Sequence, residues 1–156
     1  MKNHRRIRAQ SSFELLITVS FGLIVLLPIV ALAFIQISTS SSSLASIEAQ
    51  AAASKLANAA TSVGTQGYPA RQLILVQMPP SVQNVYVGTL QNGVGHEIIL
   101  VVSTTAGSSY ITAYTPINVS GSLGGIAAQG SYLINVSAQN SCPSSTAIPC
   151  VYMQQS

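Results

Sequence analysis

Arg8-Ala9-Gln10-Ser11-Ser12-Phe13-Glu14-Leu15-Leu16 opens an uncharged apolar run that continues to residue 37. Roughly 20 apolar residues cross a bilayer as a helix, and residues 15–37, with Gly22 and Pro28 among them, meet that length. The chain is therefore expected in a membrane at some stage of its life. One carboxylate, Glu14, stands at the mouth of the run. A charge carried deep into a span costs on the order of 2.5–3.5 kcal/mol, so the question is what Glu14 pairs with.

The charges around this run are unevenly placed. The 156-residue chain has six basic and three acidic residues, no Trp and no Asp. Lys2, Arg5, Arg6 and Arg8 all precede Gln10, so the net charge of +3 is a property of the first few residues. From Gln10 onward Lys55 and Arg71 stand against Glu14, Glu48 and Glu97, a net of −1. Nucleic-acid binding needs a basic face on the folded domain, and this distribution argues against one. A basic flank before an apolar run instead fits positive-inside insertion, with the chain from about Ser38 outside. The length suits one domain plus a long anchor.

Beyond the run, Ser38-Thr39-Ser40-Ser41-Ser42-Ser43 leads into an Ala-rich segment. Ala45, Ala49, Ala52, Leu56, Ala59 and Val63 recur at spacings of three and four, which predicts a helix with a small-residue stripe over 44–63. Glu48, Lys55 and Asn58 fall outside the stripe. Gly64, Gly67 and Pro69 are expected to end this helix. The serines read equally as an irregular joint or as a polar turn of one continuous helix. An unbroken helix from 12 to 63 would be about 80 Å long, and Pro28, lacking an amide donor, is expected to kink or locally open it.

Residues 64–156 read as strands. Runs at 73–78, 85–90, 96–105, 110–115 and 132–136 are separated by Pro79-Pro80, Gln91-Asn92-Gly93, Ala106-Gly107-Ser108 and a Gly-rich stretch at 121–130. Asn92-Gly93 between apolar runs is a hairpin signal. In the last run Tyr132, Ile134 and Val136 alternate with Leu133, Asn135 and Ser137, as in a half-buried strand. The fold class is thus α+β: a long N-terminal hydrophobic helix, then a small antiparallel sheet or sandwich of five or six strands.

Two readings of the N-terminus compete. A secretory signal would be cut near Ala31-Leu32-Ala33, releasing a protein that starts at Phe34, but the apolar core is long for that role and Glu14 sits awkwardly at its edge. The other reading is a resemblance. Ala9-Gln10-Ser11-Ser12-Phe13-Glu14 resembles the class III signal of archaeal type IV pilin-like proteins, Gln-x-Ser-x-Glu before an apolar run with a small residue ahead of the Gln. The resemblance implies a basic leader at 1–9, removed by a membrane prepilin peptidase between Ala9 and Gln10. It further implies an N-terminal pilin helix over 10–63, an extracellular head over 64–156, and an assembly platform that builds a homo-oligomeric helical filament. The motif covers the N-terminal third; the rest matches only in layout.

Cleavage there would place a new amine at Gln10, one helical turn from Glu14. An unperturbed terminal amine has a pKa of about 7.7–8.0 and is largely protonated at neutral pH. Three partners for Glu14 stay open on physical grounds: its own amine, a neighbour's amine, or water and the helix dipole in the headgroup region. The resemblance favours the neighbour's amine, which would set subunit register. An apolar run without a polar seam is also what a single anchor needs. The small-residue stripe beyond it favours close helix packing, although packing under the chain's own sheet explains part of it.

Elsewhere the chain offers less chemistry. Cys142 and Cys150 lie close together in an exported Ser-rich tail, where a disulfide is the natural state and two reduced buried thiols the alternative. No His or acidic residue lies near them, so no metal site is read there, and no cofactor is expected. Asn118-Val119-Ser120 and Asn135-Val136-Ser137 are N-glycosylation acceptor patterns, with Asn135 on the polar face of its strand. His96 and Glu97 would point to opposite faces of a strand, and no local motif builds a catalytic triad. The six tyrosines are spread through the head and nothing groups them in sequence. The expected function is a structural filament subunit serving surface adhesion, membrane-inserted before assembly. A singly anchored exported binding domain and an archaellum-type subunit are the alternatives; an enzyme is not expected.

Overall fold

The computed structural model describes residues 4–91, 93–104, 107–126, 128–143 and 148–156, with side chains from Phe13 onward. It divides into two compact units, Met1–Ser40 and Ser41–Ser156. One helix, α1 (His4–Gln66), supplies the first unit and enters the second. The serine run is therefore a helical turn and not an irregular joint. Within the run Thr39 Oγ1 donates to the Ile35 carbonyl at 3.0 Å, and just beyond it Ser46 Oγ donates to that of Ser42 at 3.1 Å. Such back-bonding satisfies a polar side chain without breaking the ladder. Pro28 lies inside α1, with helix on both sides.

The helix stops where the backbone turns left-handed. Gly67 has φ +72° and its amide reaches back to the Val63 carbonyl at 3.1 Å, an αL cap that only glycine adopts without strain. Gly64, expected to share in ending the helix, instead sits inside it.

The sheet comprises β1 (Arg71–Met78), β2 (Val82–Gly88), β3 (Gly95–Thr104), β4 (Gly107–Ser122), β5 (Gly130–Gln139) and β6 (Cys150–Gln155), in the order β1-β5-β6-β4-β3-β2. It is a single sheet, not a sandwich. All neighbours are antiparallel except β4 and β6, which run parallel through Val119–Val151 to Ser122–Gln154. The β2–β3 connection spans 89–94, longer than a two-residue hairpin; Thr89 Oγ1 accepts the Gly93 amide at 2.8 Å, and Asn92 lies outside the described residues.

Strand β4 is longer than the 110–115 expected because it serves two partners. Its first part pairs with β3 and its second with β6, and the register shifts between Gly95 and Glu97. Pro116 falls in this interval, where a missing amide does not cost a ladder bond. His96 Nδ1 lies 3.2 Å from both the Thr115 and Ile117 carbonyls, and Thr115 Oγ1 donates to Ile117 O at 2.8 Å. These contacts hold the irregular backbone.

The core lies between the sheet and the last turns of α1. Ala45, Ala49, Ala52, Leu56, Ala59 and Val63 are all buried, as the stripe predicts, and Ala53, Ala57 and Ala60 widen the face. Opposite them stand Ile74 and Val76 of β1, Val85 and Val87 of β2, Ile98 and Leu100 of β3, and Ile134 and Val136 of β5. Small helical residues let the backbone come close to the sheet, and Leu56 alone contributes about 1.5–3 kcal/mol by its burial. Glu48, Lys55 and Asn58 are exposed. Lys55 Nζ donates to the Leu75 carbonyl at 2.7 Å on edge strand β1, capping part of an open edge.

Candidate assembly interface

In the first unit every residue from 13 to 40 is exposed. Even the least exposed large apolar side chain, Val25, keeps 48% of its surface, and Phe34 keeps 75%. A helix apolar on all sides needs an apolar environment on all sides, from lipid or from other helices. Length and composition alone qualify this helix to cross a membrane.

Glu14 stands exposed at the start of that surface. Thr18 Oγ1 donates to the backbone carbonyls of Glu14 and Leu15 at 2.9 and 3.0 Å, so it does not neutralise the carboxylate. Among the described residues Glu14 has no ion-pair partner. The backbone at Ala9 and Gln10 is helical and places Gln10 one turn before Glu14, while the side chains at both positions lie outside the described residues.

The other residues singled out from sequence lie in the head. Cys142 and Cys150 form a disulfide. It ties the β5–β6 connection to the start of β6, beside the Cys142 amide bond to Ile148 O at 3.1 Å. Asn118 is half-buried on β4, its Nδ2 3.5 Å from the Pro149 carbonyl. Asn135 lies on the outer face of β5, opposite Leu73 and Gln154. His96 is exposed and stacks on Tyr114 at 6.0 Å between ring centres.

Three features were not legible in sequence. Helix residues Glu48 and Lys55 line a groove of about 640 Å³ against the β1 edge. On the outer face, strand pairing gathers Tyr86, Tyr110 and Tyr114 around Ile99 and Val101, which are 7% and 6% exposed although they point away from the main core. Along β1 and β5 the same face bares Leu73, Leu75 and Leu133. Only strand order could have revealed these groupings. Among the described residues no group of three His, Cys, Asp or Glu side chains is placed to hold a metal. Compared with protein-family models, curated proteins and solved structures, the chain shows no match.

Proposed function

We propose that this chain is a pilin-like structural subunit that polymerises through its N-terminal helix into an extracellular filament. The observation that carries the reading is a helix bare on every side through residues 13–40, with one carboxylate at its start, Glu14, that has no ion-pair partner among the described residues. The same helix then continues under a sheet of its own. Lipid covers the bare helix before assembly, and the helices of other copies cover it afterwards.

In this scheme a prepilin peptidase cuts between Ala9 and Gln10, removing the basic leader and creating the Gln10 amine. In an apolar surround, an ammonium from a neighbouring copy offsets the desolvation of Glu14 and fixes the axial register of the helices. An assembly platform draws the processed subunit from the membrane. The β-rich head forms the outside of the filament and serves surface adhesion, with Asn118 and Asn135 as its glycan acceptors. No step requires a catalytic residue or cofactor of this chain.

N-terminal sequencing of the mature protein tests this order of events. A start at Gln10 supports it. A start at Phe34 would identify a secretory signal and defeat the proposal, and a retained Met1 would identify a simple anchor for an exported binding domain.

A further inference from the structure

We propose, resting on the filament reading above, that the outer face of the sheet joins neighbouring heads. The Arg71 half of one copy packs on the Glu97 half of the next. From Ser41 onward the only charged side chains are Glu48, Lys55, Arg71 and Glu97. Glu48 and Lys55 share the groove beside β1. Arg71 and Glu97 are both exposed, and neither has an ion-pair partner among the described residues.

These two charges cannot meet within one chain. Arg71 is on β1 and Glu97 on β3, with β5, β6 and β4 between them. Four inter-strand steps alone separate them by at least roughly 19 Å, and the strand registers add an offset along the strands. Each sits in an exposed apolar patch on the face away from the core. Leu73 and Leu75 follow Arg71 on that face, 59% and 53% exposed, with Leu133 across from Leu75. Glu97 is directly opposite Tyr114, 70% exposed, and Tyr110 follows on the same strand at 62%.

The outer face of a one-sided antiparallel sheet is ordinarily polar. Here it presents a basic aliphatic half and an acidic aromatic half, which complement each other in sign. Tyrosine at the rim of an apolar floor is the composition of protein interfaces. The complement is carried by the chain itself, and helix assembly holds copies at high effective concentration, so the occupant is a second copy of this chain. Copies in a filament are related by a helical operator and not by a two-fold axis. In this reading the Arg71 half of each copy therefore meets the Glu97 half of the next, and the contact is heterologous and propagates without closing on itself.

The test compares filaments sheared from cells making the unsubstituted chain, Arg71→Glu, Glu97→Arg, and both together. Each single variant should lower filament yield at least about tenfold by placing like charges together, and the double variant should restore it. Independently, R71C/E97C filaments treated with a short bis-maleimide should give a ladder of covalent multimers, which neither single cysteine variant gives. Normal filaments from both single variants, or the lack of a ladder in R71C/E97C filaments, overturn the contact while the filament reading stands. Absence of filaments from the unsubstituted chain overturns the filament reading and this contact with it.

Discussion

Gly64 of α1 lies directly under Ile117 of β4: a methyl group at position 64 would overlap the Ile117 Cδ1 methyl and come within 3.2 Å of Val151 Cγ2. The contact as it stands is fitted to a glycine, since a side chain here would have to displace the Ile117 tip and crowd Val151. Gly64→Ala would gain up to about 1 kcal/mol of helix propensity but overpack the contact, at a cost of about 1–3 kcal/mol. The expected outcome is net destabilisation, read as a lower midpoint in thermal unfolding of the detergent-solubilised chain. A raised midpoint would show that Ile117 yields freely.

Leu56 is the largest side chain that the Ala-rich stripe contributes, and it is fully buried. Its small neighbours cannot collapse into the space it fills. Leu56→Ala is expected to destabilise the head by about 2–5 kcal/mol, whereas Asn58→Ala, on the exposed side, should change stability by less than about 0.5 kcal/mol. Equal effects at the two positions would contradict the packing described.

The Cys142–Cys150 disulfide closes a loop of sequence separation 8. Chain entropy for a loop this short gives it about 2–3 kcal/mol. Replacing both cysteines with serine should lower stability by that order. Adding reductant should lower the unsubstituted protein to a similar level and leave the double variant unchanged. A variant as stable as the parent would remove the disulfide from any structural role.

Glu14→Ala should separate anchoring from assembly. The substituted chain should still insert, be cut before Gln10 and accumulate in the membrane, while filaments fall below detection by electron microscopy. Glu14→Gln, which keeps the shape and loses the charge, should behave as the alanine variant does. Normal filaments from either variant would refute the pairing role.

Local periodicity made the helix and most of the sheet legible. The three- and four-residue spacing from Ala45 to Val63 marked the buried face, because a helix packed on a sheet must keep its apolar residues on one side. The alternation from Tyr132 to Ser137 marked β5 for the analogous reason. What depends on distant partners was not legible. β6 is only six residues long, and its Val151-Tyr152-Met153-Gln154 alternation is too short to stand out in a Ser-rich tail. The parallel pairing of β4 with β6 has no local signature at all. For the candidate interface, Glu14 and the apolar run announced themselves by composition. The complementary halves of the outer face, by contrast, exist only once β1 and β3 have been placed on opposite sides of the sheet.

The position of β6 sets a schedule. β5 and β4 have no ladder with each other; each is joined to β6. Until residues 150–155 are in place, the sheet consists of a β1–β5 pair and a β2–β3–β4 meander that share only their packing on α1. Completion of the sheet therefore waits on β6. A chain that has not yet placed this strand would display two unfinished sheet margins, sticky to any strand nearby.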